Sequence, residues 1–95
     1  MRSVSVSEVP SGAQFIDVRE IDEYAAVHAE NAVNLPMSNF TSHVDQVNKD
    51  QEVYVICKSG GRSAQVCQYL ENAGYDAINV EGGTDAWVAA GLPTG

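Results

Sequence analysis

Cys57-Lys58-Ser59-Gly60-Gly61-Arg62 is the stretch of this 95-residue chain whose residue types and spacing suit covalent chemistry. The thiolate is the nucleophilic form of cysteine, and a free thiol is only about 3% thiolate at pH 7. The surroundings of Cys57 are those that raise this fraction. Val53 to Ile56 is a short apolar, β-rich run that predicts a strand covered on both faces, delivering Cys57 to its carboxyl end. Gly60 and Gly61 allow the following backbone to curl its N–H groups inward. From Arg62 the chain is expected to be helical, and the first N–H groups of a helix lack intrahelical acceptors. Loop amides, the helix dipole and the cations Lys58 and Arg62 are all expected to push Cys57 toward thiolate. A plainer alternative for the two cations is a solvated loop edge.

The elements that must position this loop alternate between strand and helix. Val4 to Val6 predicts a first strand, with a turn or single helical turn over Ser7 to Gly12. Phe15 to Val18 predicts a second strand. A helix from Arg19 follows, with Glu20, Asp22 and Glu23 in its first turn and Ile21, Tyr24, Ala25 and His28 as its buried stripe. Ala32 to Leu35 is a short strand ended by Pro36. Ser38 or Asn39 is placed to cap a third helix carrying Phe40, Val44 and Val47 at i, i+4 and i+7. Glu52 to Ile56 is the central strand. The helix after the loop is expected to run to about Ala73, with Val66, Cys67, Leu70 and Ala73 inward, Gly74 past its end and Tyr75 packed back on Leu70. Ala77 to Val80 is the last strand, and Thr84 is expected to cap a final helix closed at Gly91, with Leu92 reaching back to Trp87. This alternation predicts one α/β domain over residues 1–95 with a mainly parallel sheet. Ligand sites in such sheets lie beyond the carboxyl ends of the strands, so Cys57, Asp17 to Glu20 and Glu81 to Thr84 are expected to converge on one edge.

The overall composition narrows the partners. A net charge of −8 argues against nucleic acid and anionic membranes. Only Arg2, Arg19, Lys49, Lys58 and Arg62 are basic, and two of these five flank the thiol, which points to a small anionic ligand. No apolar run approaches a membrane span and no signal-peptide core follows Met1, so a cytoplasmic protein is expected. Two cysteines do not make a disulfide framework. Cys67 reads as core packing, with a resolving thiol as the alternative. No Cys/His cluster has zinc-ligand spacing, so neither a metal nor a cofactor is expected.

No histidine stands beside Cys57 as a base; His28 and His43 read as structural. A thiolate and a good leaving group then suffice, which describes sulfur transfer better than acyl transfer. A cysteine phosphatase or arsenate reductase also uses a thiolate in an amide-lined loop. Tyrosine phosphatases place an arginine six residues after the cysteine, whereas here Arg62 is five residues on and position 63 is Ser63. The shorter loop makes a tighter cradle, better matched to one sulfur atom than to a phosphate. A third reading is a non-enzymatic persulfide carrier or protein-binding module.

With these residues in view, the chain resembles a single-domain rhodanese, a sulfurtransferase. The resemblance lies in Cys57-Lys58-Ser59-Gly60-Gly61-Arg62-Ser63, similar to the active-site loop of that family. Phe15 to Glu20 with Glu23-Tyr24 is similar to its amino-terminal signature, and Glu81 to Trp87 with Ala90 to Pro93 to its carboxyl-terminal one. The resemblance implies a three-layer fold with about five mainly parallel strands between helices. It implies a Cys57 nucleophile that carries sulfur as a persulfide cradled by the amides of Lys58, Ser59, Gly60, Gly61 and Arg62. Lys58 and Arg62 would orient an anionic donor such as thiosulfate, Ser59 could add a hydroxyl donor, and cyanide, a thiol or a protein would accept the sulfur. Asp17 and Arg19 match positions that order the site or fold, and Trp87 a core anchor. Val27-His28-Ala29-Glu30-Asn31-Ala32 departs from the Gly-His-Ile-Pro-Gly-Ala usual in relatives, so this turn must be made by Glu30-Asn31, with Asn31 in the left-handed region.

Overall fold

The computed structural model describes residues 1–95. Five strands, β1 (Arg2–Val4), β2 (Gln14–Asp17), β3 (Val33–Asn34), β4 (Val53–Ile56) and β5 (Ala77–Val80), alternate with α1 (Ile21–Ala26), α2 (Gly61–Asn72) and α3 (Gly83–Ala89). The sheet order is β1-β5-β4-β2-β3 and every pairing is parallel. The two central strands, β4 and β5, are buried along their whole length, as a strand covered on both faces must be.

Side-chain alternation sorts the core into two layers. Val53 and Val55 of β4 join Ile16, Val66, Cys67 and Leu70 on the α2 side. Tyr54 and Ile56 join Phe15, Ile78, Val80 and Trp87 on the α3 side. Cys57 continues the odd-numbered series, so its side chain belongs to the α2 layer. In β5 the same alternation sends Ile78 and Val80 to the α3 layer. Asn79, paired in register with Val55, is left on the Cys57 side.

Several boundaries differ from expectation for local reasons. β1 ends at Val4 because the Ser5 amide donates to the Glu8 carboxylate (2.8 Å), which starts a 3-10 turn over Val6–Glu8. The segment expected to form a third helix instead makes two 3-10 turns, Met37–Ser42 and Val44–Gln46, with Asn39 outside helical geometry. It follows Pro36 and is rich in Ser, Thr, Asn and His, residues that compete with or crowd the helical backbone. Phe40 and Val47 are buried nonetheless. α1 does not bury the expected stripe: Ile21 is 71% exposed and Ala25 is exposed. Its half-buried Tyr24 stacks on His28 at 3.7 Å and donates to the carbonyl of Ala32 (2.5 Å). α2 ends at Asn72, leaving Ala73 exposed, and the Tyr75 amide closes the end on Leu70 (2.9 Å). Asn31 has φ of 73°, the left-handed residue that the departing turn requires.

The start of α3 carries the correction that matters for the site. Gly82, not Thr84, is the N-cap. Thr84 lies inside the first turn, where its amide (2.8 Å) and hydroxyl (3.0 Å) both donate to the carbonyl of Cys57. The Asp85 amide donates to the carbonyl of Lys58 (3.0 Å). The amino terminus of α3 thus sits directly on the backbone of the cysteine loop. Gly83, with φ of +59°, is pressed so close that a Cβ would stand 2.5 Å from the Lys58 carbonyl and 2.6 Å from that of Cys57. Gly83→Ala is therefore expected to lower stability by roughly 1–3 kcal/mol, through a strained φ and a backbone clash together. Urea unfolding measures this; a stability within error of the parent would show that α3 docks less tightly than this geometry requires.

Candidate active site

The cysteine loop is built by the docking of α3. A trans peptide points its C=O and N–H in opposite directions. With the Lys58 carbonyl held by the Asp85 amide, the Ser59 N–H on the same peptide is turned to the other side, toward the sulfur. Gly60, at φ of 116°, then reverses the chain into α2. Its amide donates to Cys57 Sγ at 3.0 Å. The Ser63 hydroxyl, from the first turn of α2, lies 3.2 Å from the same sulfur. Cys57 itself is 1% exposed.

These contacts set the protonation of the thiol. Burial pushes the Cys57 pKa up, and this is the largest single influence. The Ser63 hydroxyl and the amides of Ser63, Gly60 and Ser59 together outweigh it, so the net shift is downward. Hydrogen bonds to the charged form lower an acid's pKa, and bonds to an ionised acceptor are about twice as strong as neutral ones. The thiolate is therefore favoured by short-range donors.

Lys58 and Arg62 do not act as the two free cations that the sequence suggests. Lys58 Nζ is 2.8 Å from Asp85 Oδ2. Arg62 grips Glu23 bidentately, at 2.7 and 2.9 Å. Glu23 falls to about 2, first because of the Arg62 hydrogen bond and then the amide of Glu20. A carboxyl with a pKa so depressed stabilises the fold above its usual titration range and loses that contribution only as pH falls toward 2. The carboxylate of this pair thus stays ionised across the neutral range. Two cations and two carboxylates leave the mouth of the site without net charge. Beside it lies a cleft of about 400 Å³ lined by Arg19, Glu23, Val27, Lys58, Thr84 and Asp85 among others.

Three segments expected to converge do meet here. β2 ends beside β4, with the Val18 amide on the carbonyl of Ile56 (3.0 Å). Asp17 and Arg19 form a buried ion pair (2.8 Å) just beyond it. Arg19 Nη2 also donates to the carbonyl of Val27 (2.6 Å), while Asn34 Nδ2 donates to the carbonyls of Asp17 and Arg19 (3.0 and 2.9 Å). The pair ties β2, β3 and the end of α1 together and makes no contact with the sulfur. Gly83 and Thr84 arrive from beyond β5.

This architecture of a thiol between β4 and α2, locked by the Gly-Gly turn of α3, coincides with what comparison of the whole chain finds. The profile of the rhodanese-like domain family matches residues 7–90. The chain belongs to that family. YtwF of Bacillus subtilis is 43% identical over 72 residues, covering 76% of this chain and 70% of its own. The thiosulfate sulfurtransferase GlpE of Vibrio cholerae is 35% identical over 82 residues, covering 85% and 77%. The crystal structure of a rhodanese-related protein from Thermoplasma volcanium superposes with a TM-score of 0.94 at 28% identity, over 100% of this chain and 98% of that one.

Of the rhodanese-loop residues singled out from sequence, Cys57, Ser59 and Gly60 bring the sulfur, an amide and an amide to the centre. Lys58 and Arg62 lie at the mouth in ion pairs, and Gly61 opens α2. Ser59 is exposed, and the hydroxyl on the sulfur is that of Ser63 instead. One signal could have found it: Ser63, Val66, Cys67 and Leu70 fall at i, i+3, i+4 and i+7, so Ser63 is a polar residue on an inward stripe. No histidine is a hydrogen-bond partner of Cys57; His28 Nδ1 pairs with the Tyr24 carbonyl (2.8 Å). Ser63→Ala removes one of the donors and is expected to raise the Cys57 pKa and slow its alkylation at neutral pH several-fold. The pH dependence of iodoacetamide labelling, read by intact mass, tests this; an unchanged profile would mean that the amides suffice.

Proposed function

We propose that this protein is a sulfurtransferase that carries a sulfane sulfur on Cys57. The observation that supports it most is the buried sulfur facing the Gly60 amide and the Ser63 hydroxyl, at the start of a helix. In the first half-reaction the Cys57 thiolate attacks the outer sulfur of a donor such as thiosulfate. A new S–S bond forms, the donor's S–S bond breaks, and sulfite leaves with its electron pair. In the second, cyanide or a thiolate, whether of a small molecule or of a protein, attacks the outer sulfur of the persulfide, and Cys57 departs as thiolate. No proton has to be shuttled, in keeping with the absence of a histidine partner. The first-turn amides of α2 at Gly61 and Arg62 have no intrahelical acceptor and are the donors this reading assigns to the negative outer sulfur. The relation to GlpE, a thiosulfate sulfurtransferase, favours thiosulfate among donors. The charge-neutral mouth tempers that preference, because an anion must draw on Lys58 and Arg62 while Asp85 and Glu23 hold them.

A phosphatase reading gains nothing from this arrangement. Its arginine would have to reach over the loop to grip a phosphate, and Arg62 is turned to Glu23.

Incubation with thiosulfate is expected to add one sulfur atom to the intact mass, removable by cyanide and absent from Cys57→Ser. No adduct, or one that persists in the serine variant, would overturn the proposal. Glu23→Gln is expected to lower the KM for thiosulfate roughly two- to five-fold, the worth of one partly exposed charge pair, about 0.5–1 kcal/mol. Glutamine can still cap α1 through the Glu20 amide, which donates to Glu23 at 3.0 Å. An unchanged KM would mean that Arg62 does not meet the donor.

A further inference from the structure

We infer that Asn79 is a positioning residue whose side-chain amide directs the hydroxyl proton of Ser63 and, through it, decides how well the site holds Cys57 as thiolate. Asn79 stands in the middle of the most buried strand pair, 6% exposed, where β4 and β5 otherwise present apolar side chains. Placing a carboxamide there is costly unless all its groups are bonded. Its partners are Ser63 Oγ, at 2.5 Å from Oδ1, and the carbonyl of Gly60, at 3.4 Å from Nδ2. Both partners belong to the wall around the sulfur.

The hydroxyl of Ser63 has one proton and three neighbours that can accept it: Cys57 Sγ at 3.2 Å, the Gly60 carbonyl at 3.1 Å and Asn79. It can serve only one of them well. With Cys57 as a thiol, its S–H points to Ser63 Oγ, the serine proton goes to Asn79 Oδ1, and Nδ2 donates to the Gly60 carbonyl. With Cys57 as a thiolate, the serine proton is required at the sulfur. Asn79 Oδ1 competes with the sulfur for that proton, and the carboxamide cannot turn its donor to Ser63 without setting Oδ1 against the Gly60 carbonyl, on which Nδ2 is held. Asn79 thus opposes the thiolate by holding the serine proton, and ionisation of Cys57 has to draw the proton away from Oδ1. An aliphatic residue would remove this competing acceptor and leave the Ser63 proton to the sulfur and the Gly60 carbonyl.

The other charged and titratable groups around Cys57 do not provide this control. Asp17 with Arg19, Glu23 with Arg62 and Lys58 with Asp85 are mutually paired. Cys67, on the same helix, is pushed up to about 12, first by burial, and stays a thiol.

The inference concerns the thiolate, and it bears on catalysis only through the reading of Cys57 as nucleophile. It is therefore tested without any sulfur donor, so that a failed sulfur-transfer assay and a failed relay remain distinct results. The pH midpoint of Cys57 alkylation by iodoacetamide is measured in the parent, Asn79→Leu, Ser63→Ala and the double variant. The midpoint is expected to fall in Asn79→Leu, because the Ser63 proton loses its competing acceptor, and the same change is expected to add nothing in the Ser63→Ala background. An unshifted or raised midpoint, or equal shifts in both backgrounds, would overturn the relay. Should Asn79→Leu fail to fold, the side-chain amide resonances of Asn79 in the parent decide the matter. They are expected to inflect at the Cys57 midpoint and to lose that inflection in Ser63→Ala; a flat titration, or an inflection that survives the serine change, would overturn it.

Discussion

The seating of the α3 amino terminus on the backbone of Cys57 and Lys58 is the contact from which the site follows. Two amides and one hydroxyl from Thr84 and Asp85 occupy the loop carbonyls. Because each peptide is planar, fixing its carbonyl on one side fixes the next N–H on the other. The Ser59 amide that faces the sulfur is thus oriented from behind, through the Lys58 carbonyl that α3 holds, while the Gly60 amide is set by the turn into α2. This explains why a glycine is needed at position 83, thirty residues after the β4 strand begins, for the loop geometry at position 57. A Cβ there would press on the Cys57 and Lys58 carbonyls and disturb the peptide that aims the Ser59 amide.

Charge plays a smaller part than the composition suggests. The protein is strongly acidic, and four of its five basic residues are in ion pairs: Arg2 with Glu52, Arg19 with Asp17, Lys58 with Asp85 and Arg62 with Glu23. Lys49 lies over the ring of Tyr75. A thiolate stabilised by free cations would weaken as salt screened them. One held by buried amides and a hydroxyl is insulated from that screening. The loop cations are left to act at the rim, where the side chains of Lys58 and Asp85 are both more than half exposed.

Much of this was readable along the chain. The alternation of short apolar runs with helical stretches specifies a parallel sheet, and parallel order brings the strand ends of β2, β4 and β5 to one edge. The left-handed turn at Asn31 could also be anticipated, since the chain had no glycine there to use. What could not be read were partners chosen across the fold. Glu23 lies 39 residues before Arg62 and Asp85 lies 27 after Lys58, and no local pattern announces either pair. Ile21 misled because helical periodicity marks a stripe without saying whether a layer of protein covers it. The Phe40 to Val47 segment kept its buried positions and lost its helix, because burial of two side chains can be met by 3-10 turns when the backbone preference is weak. Ser63 was hidden by the opposite error: a small polar residue on an apolar stripe reads as tolerated when it is in fact the donor on the sulfur.

The two cysteines provide an internal comparison that isolates what favours a thiolate. Cys57 and Cys67 lie in the same core layer, at 1% and 0% exposure. For both, burial is the largest influence on the thiol and acts in the same direction. Yet Cys67 rises to about 12, whereas Cys57 falls below its ordinary value. The charges of Glu71 and Cys57 reinforce burial at Cys67, the amino terminus opposes it only slightly, and nothing donates to its sulfur. Cys57 differs in having a hydroxyl and three amides that offset the loss of water. Removal from solvent alone makes an inert thiol. What separates the two is the orientation of a few dipoles, and that orientation is imposed by the docked end of α3 and by the first turn of α2.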